Sequence, residues 1–218
     1  MKLKLSNRIF LGYLSIIVVA SIAMLFCIDI LRDNRKLDLQ LQNTDQPLYL
    51  LLKDFSVLLE DSRKLSNNCV YQPNSMDKAE LKSIHDKGFP ILKENLDHIL
   101  KGNNVGSLSN IKNVMSDFRL LIGFQQQLME ILAHDSLYHT SQAVDKAIAV
   151  LETKVTPQSI KISQELRELA LTQKQRMNNV QSAKERSYTL LTTLLIVMIL
   201  LFIAAAMAAN WYSRNTIV

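Results

Sequence analysis

The sequence has few residues that interrupt secondary structure, with five glycines and four prolines in 218 residues. Such a chain favours long helices over β-sheet. It also has only two cysteines, Cys27 and Cys69. If the chain between them is helical, they lie roughly 60 Å apart, which is too far for a disulfide. The sequence therefore predicts an all-α protein that is neither a disulfide scaffold nor a CxxC metal protein.

Motifs of common catalytic sites are also missing, since there is no glycine-rich phosphate loop, no GxSxG and no HExxH. The four histidines are His85, His98, His134 and His139. Only Asp135 and His139 have the i, i+4 spacing that suits a shared metal, and solvated helix-surface residues explain them more simply. We expect no catalytic, cofactor or metal residue, and thus no enzyme in these residues. The sequence leaves the ligand-binding residues unknown.

A nucleic-acid interface is not expected either. The net charge is +5, and Lys2, Lys4 and Arg8 supply three of these charges before the first acidic residue. The middle of the chain is close to neutral and has no basic patch with interleaved aromatic residues. The excess of positive charge is therefore a signal of membrane topology rather than of nucleic-acid binding.

Long uncharged runs are the main feature that is present. Ile9–Ile28 and Leu190–Ala209 are each twenty residues long, and Trp211 and Tyr212 follow the second run. A helix of about 20 residues spans the roughly 30 Å hydrocarbon layer of a bilayer, and Trp and Tyr favour its interfaces. The first run is too long for a signal-peptide core and lacks a small-x-small cleavage site. Both runs are predicted to be transmembrane helices.

The basic N-terminus sets the predicted topology through the positive-inside rule. Residues 1–8 and 210–218 are expected in the cytoplasm, the spans at 9–28 and 190–209, and residues 29–189 outside.

The outer segment begins with a heptad pattern, which specifies side-by-side helix packing. Its seam residues are Leu37, Leu41, Thr44, Leu48, Leu51, Phe55, Leu58, Ser62 and Leu65. Pro47 is expected to kink this helix because it removes a backbone hydrogen bond; a hinge and a tolerated bend are the two explanations. The polar stretch 67–75 is predicted to be a loop that carries Cys69.

Three further helices follow from start and stop signals. Asp77 and Glu80 mark a second helix that ends at Gly102, Ser109 starts a third, and Thr156-Pro157 starts a fourth. These helices predict an antiparallel up-down-up-down bundle. The third helix would be about 68 Å long against roughly 54 and 48 Å for the first and fourth. It must therefore bend near Asp135 or be partly loop.

Both ends of the chain resemble one family. Leu5–Tyr13 (LSNRIFLGY) is similar to the start of bacterial chemoreceptors and sensor kinases that carry a four-helix-bundle sensing domain. Trp211–Val218 (WYSRNTIV) is similar to the junction at which such receptors enter a HAMP linker. The resemblance implies an inner-membrane homodimer whose outer bundle senses a small molecule or a protein.

Together these features predict the sensory input module of a signal-transduction receptor, anchored in the lipid bilayer. Any kinase, cyclase or phosphatase domain is expected beyond residue 218. The alternative is a two-span structural or adaptor protein whose bundle binds a protein partner.

Overall fold

The computed structural model describes residues 5–72, 74–101, 108–133 and 141–216. Within these ranges the backbone is almost entirely helical and contains no β-strand. The all-α fold class predicted from the scarcity of glycine and proline is therefore confirmed. The described residues form four uninterrupted helical segments, numbered I to IV below.

Segments I and II each contain one π-helical turn between two α-helices. Segment I consists of α1 (Leu5–Gln40), a π turn (Leu41–Asp45) and α2 (Gln46–Tyr71). Segment II consists of α3 (Ser75–Ser83), a π turn (Ile84–Gly88) and α4 (Phe89–Lys101).

Segments III and IV differ strongly in length. Segment III is the single helix α5 (Leu108–Ile131). Segment IV consists of α6 (Ser141–Val150), a π turn (Leu151–Val155) and α7 (Thr156–Thr216), the last of which alone has 61 residues.

Each π turn ends two residues before a proline: Pro47, Pro90 or Pro157. Proline lacks a backbone N–H, and its ring clashes with the carbonyl group four residues earlier in an α-helix. A π turn shifts the local hydrogen bonds to i→i+5, which lets the helix continue past the ring. The disruption predicted at Pro47 is thus taken up by a wider turn, and segment I continues to Tyr71.

The loop predicted at 67–75 is wrong. Its first five residues form the last turns of α2, and the Cys69 side chain is fully buried. The sequence predicted a loop because Asn67 and Asn68 are polar. The residues around them, Ser66, Cys69 and Val70, face the core. The N-cap of α3 is Asn74, whose side chain accepts a hydrogen bond of 2.9 Å from Met76 N–H. The predicted Asp77 lies inside the first turn instead.

The boundaries predicted for the third and fourth helices also need correction. Ser109 is the second residue of α5 rather than its N-cap. Thr156 does begin α7, but the π turn before it joins α7 to α6 without a break. A Thr-Pro pair commonly begins a helix, but the preceding π turn lets this helix pass through it. With 24 residues, α5 is about 36 Å long, so the excess length predicted for the third helix disappears. The predicted bend near Asp135 and the cap at Gly102 lie outside the described residues.

The chain divides into two compact units, Met1–Leu41 with Asn178–Val218, and Gln42–Met177. The second unit, called the bundle below, holds a continuous apolar core. At its centre the Phe118 ring lies 5.1 Å from the Phe55 ring and 4.8 Å from the Phe89 ring, centroid to centroid. This aromatic cluster joins α2, α4 and α5.

The first unit contains the apolar part of α7. By length and composition, one helix among the described residues is suited to cross a membrane, and it includes Gln142–Ala208. Its most apolar stretch of 18 residues has a mean hydropathy of 2.8, and only 6% of that stretch is buried. The predicted span 190–209 falls in this helix. The first predicted span, 9–28, remains a prediction.

Candidate functional site

The most completely buried polar cluster described in the bundle joins segments I, II and III. His85 Nε2 lies 2.8 Å from Gln125 Oε1. Gln125 Nε2 donates to Ser62 Oγ at 2.5 Å and to Ser66 Oγ at 2.8 Å. Gln125, Ser62 and Ser66 are each 0% exposed, and His85 is 6% exposed. We call these four residues the His85 network.

The network fixes the tautomer of His85. Because the amide nitrogen of Gln125 donates to the serines, its Oε1 is the acceptor, so His85 must carry its proton on Nε2. His85 Nδ1 is buried and has no hydrogen-bond partner among the described residues. Burial lowers the pKa of His85 below its ordinary value, while the bond to Gln125 opposes this. The neutral ring is therefore the form that the bundle favours.

A second polar contact joins segments I and IV within the bundle. Gln173 Nε2 donates to Asp45 Oδ1 at 2.9 Å and to the Asp45 carbonyl oxygen at 3.1 Å. Arg176 Nε lies 3.4 Å from the same Oδ1 atom. Asp45 closes the first π turn, so this contact satisfies a carboxylate that the turn places in the interior.

One groove of about 310 Å³ lies between α5 and α7. We call it the polar groove because its walls carry two carboxamides, two carboxylates and a hydroxyl. The residues are Asn110, Asn113, Glu165, Glu168 and Thr172, with Val114 and Leu169 as apolar wall. Glu165 Oε2 is buried there without a hydrogen-bond partner among the described residues. The groove therefore offers acceptors to a ligand that carries hydrogen-bond donors.

A second groove of about 510 Å³ lies between α2 and α7. Lys53, Arg167 and Lys174 line it together with Tyr49, and we call it the basic groove. Its single acidic residue, Glu60, pairs with Arg63 at 2.6 Å. Both grooves share α7, so a ligand in either one would contact the helix that continues into the apolar span.

The sequence pattern predicted none of these site residues. Among the described residues no group of three His, Cys, Asp or Glu side chains could hold a metal ion. His98 is exposed on α4. Asp135 and His139, the metal-compatible pair, lie outside the described residues. One signal of the network was visible, because Ser62 is a polar residue at a predicted heptad-seam position, and such a residue needs an internal partner.

The chain has no significant match among protein-family models, curated proteins or solved structures.

Proposed function

We propose that the protein is the membrane-anchored sensory input module of a bacterial signal-transduction receptor. The observation that carries the proposal is the continuity of α7. Ile162 and Leu166 of this helix are fully buried in the bundle core, whereas Leu200 and Ile203 are exposed in its apolar part. One helix thus contains both a face packed in the bundle core and a face suited to lipid.

In the proposed mechanism a ligand shifts α7 by favouring one packing of the bundle. The polar groove and the basic groove both use α7 as a wall. A ligand that binds one packing more tightly changes the population of the two packings by its difference in affinity. Movement of α7 would then reach the cytoplasmic end of the span as a shift of the same helix.

The proposal includes two membrane spans, with the bundle outside the cytoplasm. In the first unit, Ile16 and Val19 of α1 line one apolar groove with Met198 and Phe202 of α7. Such a groove between two apolar helices is suited to packing in lipid. A cytoplasmic N-terminus, an inner-membrane location and a homodimer complete the proposal and rest on the basic N-terminus and on the resemblance of the chain ends.

A two-span adaptor protein is the second candidate, and exposed apolar residues favour it. Val57 and Leu171 line the basic groove and are 60% and 57% exposed, and Leu50 on α2 is 52% exposed. Exposed apolar residues beside cationic ones suit an acidic protein surface. An adaptor requires no transmission through α7, so a test of that helix separates the two functions.

Topology is the first test of the proposal. An alkaline phosphatase reporter, which is active only outside the cytoplasm, is fused after Gly102 or after Val218. We expect activity only from the Gly102 fusion, and the matched fusions to a cytoplasm-specific reporter should give the reverse. A Gly102 fusion that reports the cytoplasm, with equal protein levels, would contradict the sensing assignment.

A further inference from the structure

The His85 network is an unusual place for a titratable group. The imidazole is held by segment III through Gln125, and Gln125 is held in turn by Ser62 and Ser66 of segment I. His85 itself belongs to the π turn of segment II. One side chain of changeable charge therefore takes part in the contact among three of the four helical segments.

We propose that the His85 network is an acid-sensitive switch that holds segment II against segments I and III while His85 is neutral and releases it when the ring takes up a proton. This inference concerns the packing of the bundle. It does not depend on the proposed receptor function.

Protonation would disrupt the network because the proton must go to Nδ1, the only free nitrogen of the ring. That atom is buried and has no acceptor among the described residues. The groups that segments I and III place on the network, Ser62, Ser66 and Gln125, are neutral. A buried imidazolium would thus gain no compensating charge from either segment.

The charged groups near His85 on its own segment do not compensate for the positive charge of a protonated His85 ring either. Asp86 is the acidic neighbour whose charge favours the protonated ring, but this contribution is smaller than the effect of burial on the pKa of His85. Asp86, Lys82 and Lys87 are all exposed to solvent, which screens their charges.

Segments I and II are in close contact at the π turn that carries His85, so a change in the His85 network would act directly on this contact. A methyl group built at Gly88, the last residue of the same π turn, would lie 3.0 Å from Leu58 Cδ1. Segments I and II therefore approach closely here, and the Leu58 side chain would have to shift by a few tenths of an ångström to admit a methyl group. A charged, poorly solvated ring three residues away would favour separation of the two segments at this point.

The direction of the pH dependence follows from the lowered pKa. Above the ordinary histidine pKa of 6.5, the ring is neutral in both the closed and the released form, and the contact is fully stable. Below 6.5 the released form binds a proton that the closed form excludes. Stability of the contact is therefore lost progressively as the pH falls from 6.5 through the pKa of the closed bundle.

The test uses the full chain in lipid nanodiscs at pH 7.5 and pH 5.0. Hydrogen–deuterium exchange, corrected for its intrinsic pH dependence, is followed over residues 84–101. We expect the wild-type amides in this range to be about tenfold less protected at pH 5.0. His85→Gln, which keeps a neutral donor and acceptor, should lose most of this change. His98→Gln, which alters the exposed histidine of α4, should keep it.

A second variant keeps the inference testable if His85→Gln fails to fold. Gln125→Glu supplies a carboxylate to His85, and the Ser62 and Ser66 hydroxyls, which accept from Gln125 in the wild type, can rotate to donate to it. It should abolish or reverse the acid-induced loss of protection, because the protonated ring then has a charged partner. Wild-type pH dependence in both His85→Gln and Gln125→Glu would overturn the proposal, as would its loss in His98→Gln.

Discussion

Gln125 shows why single polar residues decide the packing of this bundle. It takes part in four hydrogen bonds, to His85, Ser62 and Ser66, and its side chain is completely buried. On the same helix the structure fully buries Leu121 and Leu128 beside Gln125, while Ile122 and Met129 are partly buried against the same core.

Replacement of Gln125 by methionine, which has a similar shape, should destabilise the bundle by about 2–4 kcal/mol. The cost arises because His85, Ser62 and Ser66 lose their partner inside the core, at about 1–3 kcal/mol for each unsatisfied group before the structure relaxes. Chemical denaturation of the full chain in detergent measures it. The control, Gln126→Met, changes the exposed neighbour and should cost less than about 0.5 kcal/mol. Equal costs for the two variants would contradict the role of the network.

Cys69 should be unreactive toward thiol reagents in the folded protein. Burial raises its pKa from the ordinary 9.0 to about 11. At pH 8 the thiolate is then about a hundredfold rarer than in an ordinary cysteine, and burial limits access further. In a Cys27→Ser background, labelling at pH 8 should require unfolding. Tyr71→Cys combined with Cys69→Ser, which places a thiol at an exposed site near the end of α2, is the fast-reacting control.

The buried Cys69 also changes how the proposed homodimer can be tested. A thiol inside the core cannot form the intersubunit disulfide that a cysteine in a loop would form. Tyr71→Cys is the suitable probe, because Tyr71 is 57% exposed.

At the scale of helices, the sequence predicted long helical segments and most of the residues that they bury. It did not predict where the segments end. Apolar periodicity marks buried faces because burial is the main driving force for packing. The sequence predicted a kink at Pro47 and a helix start at Thr156-Pro157. Both prolines follow a π turn, and no particular residue type marks the shift of hydrogen bonds in such a turn.

The continuity of α7 gives a prediction at this scale. Ser187→Pro removes the backbone hydrogen bond to the Ala183 carbonyl, at a local cost of about 3 kcal/mol. Ser187 lies in the first unit, outside the bundle, and its hydroxyl donates to the Ala183 carbonyl at 3.1 Å. The melting temperature of the bundle should thus stay within about 2 °C of wild type. Hydrogen exchange of residues 184–191 should rise. Ser187→Ala is the control, and a collapse of the bundle in Ser187→Pro alone would refute this independence.

At the scale of the whole molecule, the bundle has an apolar core that contains a buried polar network, and its helix α7 continues into an apolar segment. The apolar run 190–209 could be identified from the sequence alone, because the length of an uncharged run is counted residue by residue. The grooves on α7 could not be predicted, because they form between segments that are distant in sequence, such as Asn113 and Glu168.

The most direct test of the proposed function asks whether α7 transmits its orientation. One to seven alanines are inserted between Arg186 and Ser187 in a chimera with a histidine-kinase output fused after Val218. Each insertion rotates the following helix by about 100°, so the kinase activity should oscillate with a period of about 3.6 inserted residues. The same insertions after two added glycines are the matched control and should abolish the oscillation. Activity independent of insertion number, at equal membrane levels, would contradict signal transmission through α7.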